Sequence, residues 1–287
     1  HLPAALRGTD FLFKGMKMHR DIKKSGGPQH KGVSNLRVLG DTQVTGVEAT
    51  CGDKALSFTA EMLLMHFGVI PETHIYRLLG CHMEWNKTQR YWYPSTDEWG
   101  RTNFEQIFAA GDGSGVSGAL AAEYKGELAG LEVAYCLGII PQYERDQLAA
   151  PVLTELRQDG YPRPLIDGVF APDPKQFDFD DATVLCRCED VKIGDVRKVV
   201  GEGVTDLNEV KIITRCGMGP CQGRMCGPAL GEIVAAELDC PIPQVGLLKV
   251  RPPLKQVPLE EVATMAIESG GVDPANLFKN QGNKSGH

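Results

Sequence analysis

The sequence contains no uninterrupted apolar run near the ~18 residues that a membrane-spanning helix needs, so it gives no transmembrane segment. It has no excess of positive charge either: 30 Lys+Arg stand against 37 Asp+Glu, a formal net charge of −7. A duplex-binding surface needs a basic footprint, so nucleic acid is not an expected partner. No basic, apolar and small-residue series marks a signal peptide, and the chain opens His1-Leu2-Pro3 without an initiator Met, which reads as a processed start or a fragment. Internal repeats are lacking. No Ser or Asp stands at a spacing to His66, His74 or His82 that would mark a nucleophilic triad, and these histidines are read as structural. What is left, 42% hydrophobic and 23% charged in 287 residues, is an ordinary globular composition, long enough for about two domains at ~150 residues each.

Cysteine is what the sequence does have. There are nine, an odd number, and five of them (Cys186, Cys188, Cys216, Cys221 and Cys226) fall within one short region. Scattered disulfides would not cluster so, and clustered thiols without an export signal read as metal ligands in a reducing compartment. Cys186-Arg187-Cys188 is followed after 32 residues by Cys221-Gln222-Gly223-Arg224-Met225-Cys226. Val191–Val200, Asp206–Thr214 and Gly227–Leu238 read as short helices, which puts the thiols on loops at helix ends, with the amino end of the third helix able to offset thiolate charge. Four convergent thiolates suit either a [2Fe–2S] cluster or a tetrahedral Zn²⁺. Arg187, Arg215 and Arg224 flank them, as solvated charge or as stabilisers of a reduced, anionic centre.

Upstream, residues 1–32 carry seven Lys/Arg (Arg7, Lys14, Lys17, Arg20, Lys23, Lys24, Lys31) interleaved with Phe11, Phe13, Met16, Met18 and Ile22, which predicts an amphipathic helix ending at Gly26-Gly27-Pro28. Asn35–Leu39, Gln43–Thr50 and Ala55–Ala60, separated by turn residues, predict an antiparallel meander. Met62–Phe67, apolar almost throughout, predicts a strand buried on both faces, with a sharp exit at Gly68-Val69-Ile70-Pro71. Trp85, Trp92 and Trp99, with Tyr91 and Tyr93, form an aromatic cluster that serves packing or walls a flat cofactor. Gln106–Ala110 reads as a buried strand running into a Gly111–Gly115 turn, followed by helices over Ser117–Leu137 and Gln142–Arg157. Pro162, Pro164, Pro172 and Pro174 with Asp178, Asp180 and Asp181 read as a linker. Beyond Cys240 an extended Pro-rich tail is expected to lie along other surfaces, with a helical turn or two at Leu259–Ile267 and a frayed end at Lys279–His287.

Two motifs carry resemblances. Thr102-Asn103-Phe104-Glu105-Gln106-Ile107-Phe108-Ala109-Ala110-Gly111-Asp112 resembles the second flavin-binding motif of two-dinucleotide-domain flavoproteins, and the Met62–Pro71 crossing supports the likeness. The resemblance implies that Asp112 bonds the ribityl hydroxyls of FAD while Gly111 and Gly113 permit its approach. The Gly-x-Gly-x-x-Gly turn that holds the FAD pyrophosphate in that superfamily does not precede the meander, so the sequence looks like the carboxyl part of such a protein. Cys186-Arg187-Cys188-Glu189 and Thr214-Arg215-Cys216-Gly217-Met218-Gly219-Pro220-Cys221-Gln222-Gly223-Arg224-Met225-Cys226 resemble the bacterioferritin-associated-ferredoxin-like [2Fe–2S] module. That resemblance implies Cys186, Cys188, Cys221 and Cys226 as ligands; Cys216 stays a rival.

Together these motifs make the chain similar to the A (α) subunits of the opine oxidase, hydrogen cyanide synthase and hydroxyproline/proline dehydrogenase family. The resemblance implies an α/β fold, the C-terminal part of a two-dinucleotide-binding-domain flavoprotein followed by a small, mainly helical [2Fe–2S] domain. It divides the chain into a partial nucleotide-binding lobe with a β-meander over residues 1–72, the C-terminal half of an FAD-binding domain over 73–160, a linker over 161–182, the cluster domain over 183–242 and a tail over 243–287. It further implies FAD and a [2Fe–2S] cluster as cofactors. The partners it implies are an amino-acid-oxidase-like FAD subunit, with which a small ferredoxin-like subunit is associated, and the reaction is oxidation of a C–N bond with electrons passed between flavin and cluster. No side chain of this chain is expected to act on the substrate as acid, base or nucleophile. The expected location is cytoplasmic, with any attachment at the inner membrane face made through partners. An NAD(P)H-dependent reductase and a zinc-containing scaffold protein are the other readings of the same residues.

Overall fold

The computed structural model describes residues 9–173 and 179–268. The expectations placed on Arg7, on Pro174 and Asp178, and on Lys279–His287 lie outside the described residues. Packing divides the chain into two units: His1–Pro71 with Glu84–Asp173, and Glu72–Met83 with Pro174–His287. This division differs from the boundaries drawn on the sequence. The short stretch from Glu72 to Met83 packs with the cysteine-bearing part of the chain, and the residues on either side of it pack with each other.

In the first unit the basic amino-terminal stretch forms helix α1 (Thr9–Lys24). Phe13, Met16, Met18 and Ile22 on it are all exposed. The meander follows as β1 (Val33–Leu39), β2 (Gly46–Cys51) and β3 (Lys54–Thr59), antiparallel in the order β1-β2-β3. Period-2 alternation turns Val47 and Ala49 of β2 and Leu56 of β3 to the buried face, and Ala49 stands opposite Leu56 in the register. A register irregularity between Ser34 and Arg37 interrupts β1.

The doubly buried strand expected at Met62–Phe67 is absent; the segment is extended without ladder partners, and Met62 and Leu64 are 73% and 86% exposed. An apolar strand of that kind needs a neighbour on each side, and among the described residues none flanks it. A second correction concerns Gln106–Ala110. Instead of a strand, a single antiparallel bridge joins Arg101 to Phe108, flanked by Ala109 N–H donating to Gly100 O (2.7 Å) and Thr102 N–H donating to Ile107 O (2.9 Å). The Thr102 hydroxyl also donates to Ile107 O (3.0 Å), which closes the loop on itself and leaves no further rung for a sheet.

After the crossing to the second unit, where α2 (His74–Leu79) lies, a hairpin of β4 (Met83–Asn86) and β5 (Tyr91–Pro94) carries Trp85 and Trp92, whose rings pack 5.5 Å apart. Helices α3 (Ala119–Cys136) and α4 (Gln142–Gly160) then pair through Leu128, Ala149 and Val152, with Trp99, Tyr124, Leu131, Leu153 and Leu156 around them. Ala149 is fully buried; a small residue at the contact lets the helix backbones approach. The proline-rich stretch expected as a linker begins instead with helix α5 (Arg163–Val169), held by Arg163 to Val116 O (3.0 Å) and by Gln89 to Asp167 O (2.8 Å).

The inner face of α3 also buries a charge. Glu132 receives Arg101 through Oε1 and Arg145 through Oε2 (2.5 Å), and the Arg145 guanidinium lies 4.3 Å over the Trp99 ring and 4.5 Å over Tyr135. Trp99 is thereby accounted for as packing and cation–π contact.

In the second unit β6 (Val184–Cys186) and β7 (Val191–Lys192) form a short hairpin leading into α6 (Ile193–Gly201), α7 (Leu207–Thr214), α8 (Cys226–Glu237), α9 (Ile242–Val245) and α10 (Leu259–Glu268). Asp206 caps α7 by accepting from Asn208 N–H (2.7 Å) and Glu209 N–H (3.1 Å). Ile193, Val196, Leu207, Val210, Leu230, Ile233 and Val234 form its core.

Removing one carboxylate from a buried ion network leaves two guanidinium groups without their shared partner, which costs about 3–5 kcal/mol for a fully buried pair and less where one member is partly solvated, as Arg101 is. Glu132→Ala is therefore expected to destabilise the first unit by about 3 kcal/mol in thermal or denaturant melts. The same truncation at exposed Glu127 should stay within about 0.5 kcal/mol of the parent.

Candidate functional site

The glycine turn Gly111–Ser114 forms one turn of 3₁₀ helix ahead of α3. Gly111 has φ +66°, in the left-handed region that glycine enters without a Cβ penalty. Asp112 is exposed and anchored through one oxygen: its Oδ1 accepts from Ser117 N–H (3.1 Å) and Gly118 N–H (3.3 Å) at the start of α3. Lys125, nearly two turns into α3, reaches back to Ser117 Oγ (3.1 Å) and Gly115 O (3.3 Å). Burial lowers the ammonium pKa of Lys125, opposed by the Asp112 charge. Gly111, Asp112 and Gly113 thus stand together at one helix end, with an exposed carboxylate held in a fixed direction.

The cysteines converge in the second unit. Sγ atoms of Cys186, Cys216 and Cys226, all buried, lie within 4.8 Å of one another. Cys186 ends β6, Cys226 opens α8, and Cys216 follows Arg215, which ends α7 in a left-handed cap at φ +65°. Cys188 is exposed and Cys221 half-buried. The structure therefore brings Cys186, Cys216 and Cys226 together and leaves Cys188 and Cys221 outside that trio.

Several features of the fold make this approach possible. Gly219 lies against the Cys186–Cys188 turn so closely that a Cβ on it would sit 2.2 Å from Cys188 Cβ. Gly217 and Gly223, at φ +84° and +79°, leave room for the Leu248 side chain, which covers both. The chain beyond α9 is held down there: Asn208 donates to Leu247 O (3.3 Å) and accepts from Lys249 N–H (2.6 Å), while Lys211 donates to Lys249 O (2.9 Å).

Charge at the thiols is uneven. The hydrogen bond to Cys216, then burial, pushes the Cys226 thiol far up. At Cys221 burial acts to raise the pKa, but backbone N–H groups of Met225, Gly223 and Arg224 and the Cys188 thiol outweigh it, and the net direction is down. A sulfur surrounded by N–H donors favours the thiolate. The donor set, three converged thiol sulfurs with two further cysteines on the same loops and no carboxylate in the group, fits a [2Fe–2S] cluster and also a thiolate-bound zinc.

Residues that the sequence reading did not assign to this site come from α2 and the turn before it. Glu72 bridges His74 Nδ1 (2.7 Å) and Arg224 Nε (2.6 Å), and His74 Nε2 donates to Gln222 O (2.9 Å). Arg77 donates to Leu248 O, and its buried Nε has no partner among the described residues. Burial pulls the Arg77 pKa down to about 10, against the opposing charge of Glu72. Burial likewise lowers His74, the Gln222 carbonyl and Glu72 opposing it and Arg77 and Arg224 adding to it. These residues stand almost 150 positions from the cysteine loop they touch, and no spacing in the sequence announces them.

Comparison with known proteins finds relatives for both halves. Residues 15–136 match the family described as pyridine nucleotide-disulphide oxidoreductase, and residues 181–266 match the sarcosine oxidase A3 domain. The opine oxidase A subunit of Rhizobium meliloti (strain 1021) is 33% identical over 272 residues, which cover 92% of this chain and 58% of that protein. Hydrogen cyanide synthase subunit HcnB of Pseudomonas aeruginosa is 29% identical over 232 residues, 78% of this chain and 50% of that one. The chain thus spans only about half the length of these curated relatives. The crystal structure of L-proline dehydrogenase from P. horikoshii aligns with a TM-score of 0.59 at 22% identity, over 78% of this chain and 43% of that chain, which shows a shared fold.

The Gly219–Cys188 contact gives a direct test of the convergence. Gly219→Ala must displace Cys188, and affinity for Cd²⁺, followed by thiolate charge-transfer absorbance, is expected to fall about tenfold or more. Gly231→Ala, where a Cβ meets nothing within 4 Å, should bind Cd²⁺ as the parent does.

Proposed function

We propose that this chain is the electron-transferring part of a heteromeric oxidoreductase that oxidises a C–N bond of an amino acid, opine or imino acid. The observation that carries the proposal is the convergence of three buried cysteines, Cys186, Cys216 and Cys226, whose sulfurs lie within 4.8 Å of one another, with Cys188 and Cys221 following on the same loops. Four of these five, Cys186, Cys188, Cys221 and Cys226, would hold a [2Fe–2S] cluster. Cys186 and Cys226 stand together in the buried trio, and Cys216, its third member, is the rival ligand.

Bound FAD supplies acceptance of a hydride and a bound [2Fe–2S] cluster supplies one-electron carriage, so the pair joins two-electron substrate chemistry to a one-electron chain. The residues of this chain do the holding. Asp112, fixed by two backbone amides, would accept from ribityl hydroxyls, and Gly111 and Gly113 keep that approach open. At Cys221 the effect of burial is outweighed by its surroundings, so that the thiol pKa is lowered, and the amino end of α8 lies at Cys226.

Removal of hydride from substrate belongs, on this reading, to an amino-acid-oxidase-like FAD subunit, and the further partner is a small ferredoxin-like one. Similarity to the A subunit of opine oxidase and to HcnB of hydrogen cyanide synthase supports this, since each is by name one part of a larger assembly. Among the described residues no helix is long and apolar enough to cross a membrane, so attachment to one would be made through those partners.

The ligand assignment is tested by serine substitution in anaerobically purified protein. Cys221→Ser and Cys226→Ser are expected to abolish the visible cluster absorbance, and Cys216→Ser to preserve it. Loss on Cys216→Ser with retention on Cys221→Ser would overturn the assignment, and a colourless protein containing zinc would overturn the iron–sulfur reading itself. Asp112→Ala is expected to lower the flavin retained per chain several-fold while leaving iron content unchanged.

A further inference from the structure

The loop that joins the glycine turn to α3 has little stiffness of its own. Val116 and Ser117 lie between Gly115 at φ +119° and Gly118 at φ +103°, and glycine leaves the backbone on either side of them many conformations. Yet Ser117 N–H is one of the two donors that fix Asp112 Oδ1, at 3.1 Å. A contact from outside the loop has to hold the peptide that carries this N–H.

That peptide joins Val116 to Ser117, and because it is planar and trans its carbonyl and its N–H point in opposite directions. Whatever holds the oxygen therefore aims the N–H. The oxygen accepts from Arg163 Nη2 at 3.0 Å, so the peptide is bonded at both ends, to Arg163 through Val116 O and to Asp112 through Ser117 N–H. Arg163 is in turn fixed within α5 by Asp167 Oδ1 at 2.8 Å, one helical turn on, and Asp167 O accepts from Gln89 Nε2 at 2.8 Å. Two further side chains steady the same loop: Val116 N–H donates to the hydroxyl of buried Tyr91 (3.2 Å), and Lys125 Nζ donates to Ser117 Oγ (3.1 Å). Of these side chains, Arg163 is the one bonded to the peptide that ends on Asp112.

We propose that Arg163 is a positioning residue for the flavin turn, holding the Val116–Ser117 peptide so that Asp112 keeps its carboxylate directed at a hydroxyl of the ligand. This rests on the reading of Asp112 as the partner of the FAD ribityl chain given above. A carboxylate already fixed by the backbone has less freedom to lose when a hydroxyl arrives, so loosening the peptide weakens binding although Arg163 itself contacts no ligand. The role is separable from mere support of the fold because it needs Asp112.

The test titrates FAD into the full chain and follows the quenching of flavin fluorescence. It compares the parent with Arg163→Ala, Asp112→Ala and the double variant, with thermal melts to establish that each is folded. Arg163→Ala is expected to weaken binding about fivefold when Asp112 is present and less than about twofold in the Asp112→Ala background, since residues acting through one another are not additive. Equal weakening in both backgrounds overturns the proposal, as does parent-like affinity in Arg163→Ala. If Arg163→Ala does not fold, Arg163→Met, which keeps a long apolar stem and removes the donor, takes its place under the same criteria. A parent that binds no FAD, or one whose affinity Asp112→Ala leaves unchanged, overturns the flavin reading itself and this proposal with it.

Discussion

Three buried cysteine sulfurs within 4.8 Å of one another, with two more cysteines on the same loops, make a demand that the second unit is built to meet. Thiolates repel one another, and buried thiols resist ionisation, so such a group is tolerable only where cations, N–H dipoles or a metal centre offset the charge. The fold provides the first two in detail: α8 begins at Cys226, Arg224 donates to Cys221 O, and Arg77 and Lys211 donate to the Leu248 and Lys249 carbonyls. It also provides the space. Gly219 lies where any side chain would strike Cys188, and Gly217 and Gly223 admit Leu248 as a cover. The stretch beyond α9, which carries no regular structure until α10, is tied to α7 by Asn208 and Lys211 and so keeps that cover in place.

The first unit is organised differently. Its core is the α3–α4 pair, reinforced by a carboxylate shared between two arginines, and the glycine turn sits at the end of α3. Asp112 commits one oxygen to the backbone amides that open this helix, which fixes the direction of the carboxylate while leaving it exposed. Away from that rigid part, Met62–Ile70 and α1 leave apolar side chains in solvent. The same unit therefore contains a well-fixed glycine turn as well as surfaces whose apolar character is not used among the described residues.

How much of this was legible in the sequence depends on the range of the interaction. The meander, the helices over Ala119–Cys136 and Gln142–Gly160, and the three short helices of the cysteine region follow from local periodicity and turn residues, and all are found. The crowding of cysteines was legible because their spacing along the chain is itself local. Met62–Phe67 misled because a continuous apolar run reports burial only when neighbours exist, and Gln106–Ala110 because a hydrophobic pattern does not reveal that Thr102 closes the loop with its side chain. Least legible was the contribution of Glu72, His74 and Arg77. His74 reads as a structural histidine, and nothing nearby in sequence says that its partner is a peptide between two cysteines far along the chain.

Whether the converged thiols hold iron and sulfide is measured most directly by the iron and acid-labile sulfide content of the anaerobically isolated protein, with the electron paramagnetic resonance spectrum after reduction. Two iron and two sulfide per chain with a rhombic signal from one unpaired electron are predicted. One zinc per chain, no sulfide and no signal would contradict the iron–sulfur assignment and the electron-transfer role built on it.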